Sequence, residues 1–435
     1  MTRWPILSFF LFFVLVACNS PQRGLFAKKT PHEQYADRIR DAGLQRTQLG
    51  ALWMAAAEKG LAQPLKIVLP YEEAGFFPAE QPRAAGFIFS AKRGEQLTVA
   101  ISSVPTTDVL LFAELWQPNA AGTKPKLLAT ADTNTNTLKY DVGNEGSFLL
   151  RIQPELLRSV EYRLVVTVGP SLAFPVRSAD KPRVISLWGT ERDAGARSHE
   201  GIDIAAKFRT PVVAAADGYI SSVSENQLGG KVVFLRMSDQ SYSLYYAHLD
   251  SQIVKQGQEV KSGEILGLMG NTGNAKTTVP HLHFGIYAGM GGAIDPFPFV
   301  NQNRDLPQQP GLPIEDLNKY LRTTGSSTIF DRPVAGSTAL SKPPNGTALL
   351  TTAVTGKWFK VQLPNGSEGF IAGTQTSKLP LTTIKLGHTQ KLLSAPDSTS
   401  AGKLILAAGT SVTVRGLFND YYFVKHENID GWLSK

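Results

Sequence analysis

From residue 64 onward the apolar residues come in short β-branched and aromatic runs, broken by Gly, Pro, Asn and Asp. "AAGFIFSA", "QLTVAISSV", "VLLFAELW", "GSFLLRI" and "EYRLVVTV" are strand-length segments of this kind, and no helical period runs through them. Such spacing forces a β architecture, with a sandwich over roughly residues 64–172. From about 180 to 300 glycines multiply among β-branched runs, as in "GQEVKSGEILGLMGNTG", and predict a compact all-β unit. A chain of 435 residues is too long for a single core, so several domains are expected. The expected fold class is mainly β and multidomain, with short N-terminal helices.

Those helices are read from their ends. Thr30, Pro31 and Glu33 form a capping box with proline at the first helical position, and Gly43 stops the helix. "LQRTQLGALWMAAAEKG" continues as a second helix ending near Gly60. His32, at an exposed helix start, reads as a surface residue rather than a ligand.

Upstream, Arg3 and the apolar "ILSFFLFFVLV" form an export signal far shorter than the ~20 residues that span a bilayer. "LVAC" then places Cys18 after small residues, which resembles a bacterial lipoprotein signal. Cys18 is the only cysteine, so no intramolecular disulfide can form. The resemblance implies lipidation of Cys18 and membrane anchorage through several acyl chains. In a Gram-negative host, Asn19 in place of aspartate points to the outer membrane, facing the periplasm. The net charge of +8 suits anionic envelope surfaces and equally a generally soluble basic protein. No run of Lys or Arg marks a nucleic-acid surface.

The last hundred residues repeat themselves. Pro333 matches Pro396, Gly346 matches Gly409 and Val361 matches Val424, each 63 residues on; Gly369 matches Gly431 at 62. Each unit resembles a bacterial Src-homology-3-type barrel, a family that commonly binds cell wall; a purely structural tandem is the alternative. "NQNRDLPQQPGLPIEDLNKYLRTTGSS" before it reads as a linker with a short helix in "IEDLNKYL". His388 and His426 share no repeat position and read as surface residues.

Four of the seven histidines remain, all within 85 residues: His199 in "RSHEGID", His248 in "YYAHLD", and His281 and His283 in "PHLHFG". On a strand His281 and His283 face the same way, about 7 Å apart. By itself such a pair fits a structural, half-buried strand as well as a metal site. "HEGID" opens like a zincin helix, but Asp203 stands where the second histidine belongs and Gly201 interrupts. On a straight strand His199 and Asp203 would be about 13 Å apart, so common ligation needs a bend near Gly201. Glu200 is then no general base, since no helix carries it. Imidazoles with one carboxylate suit catalytic zinc, where three protein ligands leave a fourth position for water. The surplus of candidates fits the proton transfer and oxyanion stabilisation that peptide hydrolysis also requires.

"HEGID", "YYAHLD" and "PHLHFGIY", in that order, resemble the lysostaphin/LytM-type zinc metallopeptidases, which cut peptide cross-links in bacterial peptidoglycan. The resemblance spans roughly residues 180–300. It implies zinc on His199, Asp203 and His283. It implies catalytic roles for His248 and His281, which would orient or deprotonate the attacking water and stabilise the oxyanion, without dividing the roles between them. It also implies a duplicated-hybrid-motif fold related to biotinyl and lipoyl carrier domains. "GNTGNAKTTVP" would then flank the groove. Tyr245 and Tyr246 could touch substrate or simply pack, and Arg197 could bind a substrate carboxylate or remain solvated.

The expected organisation is a signal peptide over 1–18, linker and helices over 19–62, an accessory sandwich over 63–172, and the zinc peptidase over 173–302. A linker over 303–325 and two small barrels over 326–380 and 381–435 follow. The sandwich resembles modules that precede catalytic domains in secreted bacterial peptidases and is assigned to binding or spacing. The expected function is zinc-dependent cleavage of peptidoglycan cross-links. The rivals are a non-enzymatic wall-binding regulator of another hydrolase, a peptidase acting on glycine-rich protein, and a wall-adhesion module with a vestigial site.

Overall fold

A computed structural model describes residues 28–104, 109–119, 123–177, 179, 181–192, 195–238 and 242–435. The export segment and Cys18 lie outside the described residues. The chain is mainly β, with helices α1 (Pro31–Asp41) and α2 (Gln48–Ala62) near its start. Among the described residues no helix is long and apolar enough to cross a membrane.

The capping box of α1 is formed. Thr30 Oγ1 accepts from the Glu33 amide at 3.0 Å, and Glu33 Oε2 accepts from the Thr30 amide at 2.8 Å. Gly43, at φ 71°, turns the chain after α1. The second helix starts at Gln48 rather than Leu44, because residues 44–46 form a 3-10 turn and Thr47 supplies the N-cap.

His32 is buried, not a surface residue: it is 6% exposed. Its ring stacks on Trp53 at 4.9 Å, and its nitrogens meet Gln153 Oε1 at 2.8 Å and Arg151 Nη2 at 3.1 Å. Arg151 is itself ion-paired with buried Glu114. The sequence marks a helix start but not the sheet that start docks on, and the dock supplies the ring's polar partners. Burial, reinforced by the Arg151 charge, lowers the His32 pKa and keeps the ring neutral.

The sandwich has one sheet in the order Leu65–Lys66, Ala85–Ala91, Gly146–Pro154, Leu111–Gln117, Lys126–Thr130. The facing sheet runs Tyr71–Phe77, Val160–Pro170, Glu95–Val104, Thr137–Asp141. Alternate residues such as Phe87, Leu97, Val99, Leu150 and Leu164 fill the space between them. The facing sheet does not stop there. Tyr71–Phe77 pairs on its other edge with Ala348–Thr355, placing Ala74 opposite Val354 and Gly75 opposite Ala353. Fully buried Glu73 fastens this junction: Tyr71 Oη, Tyr162 Oη and Lys360 Nζ each lie 2.6 Å from its carboxylate.

The C-terminal repeat is structural as well as textual. The strands Ala348–Thr355 and Ser411–Phe418 stand 63 residues apart at both ends. Each carries a bulge at the matching place, between Thr351 and Ala353 and between Val414 and Gly416. Val361 pairs with Gly369 as Val424 pairs with Gly431. The helix expected in "IEDLNKYL" is replaced by a 3-10 turn at Ile314–Asp316 and the strand Tyr320–Thr323. Tyr320–Thr323 pairs with the Ala348–Thr355 strand, and the Thr351 hydroxyl donates to the Asp316 and Lys319 carbonyls. Pairing with an existing strand satisfies backbone groups that a lone helical turn would leave open.

Between these parts lies a ten-stranded sheet. At its centre Ile202–Ala205, His281–Tyr287 and Ser243–Gln252 are antiparallel neighbours. Ile202, Ile204, Leu244, Tyr246, Leu282, Phe284 and Ile286 are fully buried on one side. Strand alternation therefore puts Asp203, His281 and His283 on the other.

Candidate metal centre and catalytic groove

Asp203 and His283 sit directly opposite each other on adjacent strands, and Ala247, next to His248, flanks His283 on the far side. His199 reaches the same point by a bend. It follows the two-residue strand Arg197–Ser198, and pairing resumes only at Ile202. Gly201 permits the bend: a Cβ there would stand 2.6 Å from His283 Cε1 and 2.7 Å from the Phe284 carbonyl oxygen.

The result is a triangle. His199 Nε2, Asp203 Oδ1 and His283 Nδ1 are each 3.0 Å from the other two. Three ligands on one zinc at tetrahedral angles would stand about 3.3 Å apart, given bonds of about 2.0–2.1 Å. The protonation pattern also calls for a cation. His199 Nδ1 lies 2.9 Å from the Leu187 carbonyl, to which it donates, so in the neutral ring Nε2 presents a lone pair to a carboxylate oxygen. Burial would raise the Asp203 pKa, but hydrogen bonds from His199 and His283 outweigh it and hold the carboxyl far below its ordinary range. The donor set of two imidazoles and one carboxylate fits zinc.

His248 and His281 stand beside this triangle. Their rings are 5.0 Å apart, and His248 is 6.0 Å from His283. His248 Nδ1 donates to the Thr272 carbonyl and His281 Nδ1 to the Val279 carbonyl, both at 2.9 Å. Each Nε2 is thereby left for the groove. His248 is in the left-handed region at φ 63°, held there by its amide bond to the Gly229 carbonyl at 2.7 Å. Burial, then the neighbouring His281 and His283, lower its pKa to about 4, so it is neutral at pH 7.

The groove has a volume of about 570 Å³ and includes all five residues, with Arg197, Glu200, Tyr245, Asn274 and Tyr287 on its walls. The "GNTGNAKTTVP" loop flanks it through Asn274, Ala275 and Thr278. The tyrosine pair divides: Tyr245 faces the groove, while Tyr246 is core and its hydroxyl accepts from the Ala215 amide at 2.9 Å. Among the described residues, none from the sandwich or the C-terminal units lines the groove. His32, His388 and His426 are not part of it. Sequence reasoning missed Arg192, whose Nη2 is 2.6 Å from Asp203 Oδ2, and the carbonyls of Leu187, Thr272 and Val279. Backbone acceptors leave no mark in a sequence, and an arginine on a short hairpin looks like any solvated one.

Residues 197–296 match Peptidase family M23. The chain is 41% identical over 88 residues to the peptidoglycan DD-endopeptidase ShyC of Vibrio cholerae, covering 20% of each protein. It is 34% identical over 139 residues to the L-Ala–D-Glu endopeptidase of Bacillus subtilis, covering 29% of this chain and 42% of that one. It thus spans under half the length of these relatives. Among solved structures, the catalytic domain of the antimicrobial peptidase lysostaphin from Staphylococcus simulans is 30% identical. That match covers 28% of this chain and 97% of that one at a TM-score of 0.26.

Proposed function

From the peptidase family M23 domain carried at residues 197–296, we propose that the chain is a zinc-dependent endopeptidase hydrolysing peptide cross-links of bacterial peptidoglycan. The observation that carries the reading is the triangle of His199 Nε2, Asp203 Oδ1 and His283 Nδ1 beside two further imidazoles in one groove. His199, Asp203 and His283 would hold the metal, which when bound lowers the pKa of water and polarises the scissile carbonyl. The protein's own part is proton handling. His248 and His281, each anchored at Nδ1, present Nε2 as an acceptor when neutral and a donor when protonated. One takes the proton of the attacking water and the other donates to the oxyanion. A proton on His248 is not retained at neutral pH and is free to pass to the leaving amine.

In this reading Cys18 carries the lipid that anchors the protein to the envelope, on the outer membrane of a Gram-negative host. The stretch 63–172 and the two C-terminal units, as Src-homology-3-type barrels, position the groove on the wall. Convergence of all five residues in a groove that no other described part of the chain lines favours hydrolysis over a non-enzymatic regulator. The test is mass spectrometry of peptidoglycan incubated with the zinc-loaded protein and with its His281→Ala variant. The wild type is expected to release shortened, uncross-linked peptides and the variant none. Absence of such products from the zinc-loaded wild type would overturn the proposal.

A further inference from the structure

Asp203 uses its two carboxylate oxygens for different things. Oδ1 faces His199 and His283, and Oδ2 takes Arg192 Nη2 at 2.6 Å. The same Nη2 lies 2.8 Å from Ser186 Oγ, and Ser186 Oγ lies 3.2 Å from His199 Nδ1. One guanidinium therefore touches one member of the triangle directly and a second through a single hydroxyl. It comes from outside the three central strands. Glu191–Arg192 pairs with Arg197–Ser198 in a small hairpin, and its second strand leads straight into His199. Ser186 is in turn the strand partner of Asp203.

We propose that Arg192 is a positioning residue. It presets Asp203 as a one-oxygen ligand and, through Ser186, braces the His199 ring. The inference rests on the metal-site reading above. A carboxylate free to turn could place both oxygens on a metal and take up the position a catalytic site keeps open for water. An ionic hydrogen bond to Oδ2 prevents that rotation. The guanidinium suits the task better than an ammonium would, since its planar donors hold a fixed direction. The competing role, recognition of a substrate carboxylate from the groove wall, does not fit the contacts. The Nη2 directed inward is already engaged by Asp203 and Ser186.

The experiment measures zinc affinity by chelator competition on the full chain and on Arg192→Ala, Arg192→Lys and Ser186→Ala. Thermal unfolding of each metal-free protein is measured beside it. Loss of an outer partner to a metal ligand typically weakens metal binding by about 10–100-fold. That range is expected for Arg192→Ala, with a smaller loss for Arg192→Lys and for Ser186→Ala. Metal-free unfolding should be nearly unchanged in Arg192→Lys, the variant that remains informative if Arg192→Ala fails to fold. At saturating zinc the variants should lose kcat with KM unmoved. Wild-type zinc affinity in both arginine variants, or a raised KM with affinity intact, would overturn the assignment and point to substrate binding. If affinity falls in Arg192→Ala while the zinc-loaded wild type cuts no peptidoglycan, Arg192 keeps its role and the peptidase reading fails.

Discussion

Each of the five groove residues has one working atom, and a backbone or side-chain partner behind it decides which. His283 uses Nδ1, whereas His199, His248 and His281 are anchored at Nδ1 and offer Nε2. His283→Ala is expected to lose zinc and activity together, measured by metal analysis and peptidoglycan digestion. His248→Ala and His281→Ala should keep zinc near one equivalent and lose 10²-fold or more of activity, on the order of what general acid–base groups contribute. Loss of metal in His281→Ala with retention in His283→Ala would reverse the roles. Gly201→Ala should abolish zinc binding while the rest of the domain stays folded, because its Cβ would push on the His283 ring and the Phe284 carbonyl. Chelator competition and circular dichroism of that variant check it. Every metal and catalytic candidate was legible in the sequence, because HxxxD and HxH place rare imidazoles in a short span. The bend that unites His199 with Asp203 could only be demanded, and Arg192 left no signal at all.

At the scale of elements, burial patterns read well and docking partners read poorly. The alternation in Ala85–Ala91 and in His281–Tyr287 shows in the text because period two needs no knowledge of neighbours. The docking of α1 does not show, and His32 illustrates the cost. Its pKa is lowered by burial, so the unfolded chain binds a proton there that the folded chain does not. Stability therefore rises with pH over that interval and is lost as pH falls below the unfolded value of 6.5. Urea unfolding between pH 7 and 5 should show this slope, and His32→Gln should flatten part of it. An unchanged slope would show that the ring does not titrate on unfolding. The strand Tyr320–Thr323 was hidden for the same reason: its partner Leu349 is nearly thirty residues away in sequence.

The whole molecule is joined where the sandwich sheet continues into the first C-terminal unit. Lys360 is almost fully buried against Glu73 across that junction. Lys360→Ala would leave a buried carboxylate with only tyrosine hydroxyls. A loss of about 3 kcal/mol is expected, measured by denaturant unfolding. Deleting residues 303–435 would also bare the Ala74–Gly75 edge, and aggregation of that truncation is expected by light scattering. The catalytic groove lies apart from this junction and, among the described residues, is lined only by residues 192–287. The intact chain should accordingly cut soluble cross-linked muropeptides without prior proteolysis. A requirement for truncation would show that another part of the chain covers the groove.

The amino-acid sequence by itself determined the β character, the 63-residue repeat and the five groove residues. Each of these is written in local spacing: strand alternation, turn residues, or a histidine two or four positions from its neighbour. Tertiary structure alone decided which nitrogen of each imidazole faces the groove, that Arg192 holds Asp203 Oδ2, that His32 is core, and that the sandwich and first C-terminal unit share a sheet. These features depend on contacts between residues from 11 to 287 positions apart. Such partners are chosen by packing, and packing is not periodic in the chain.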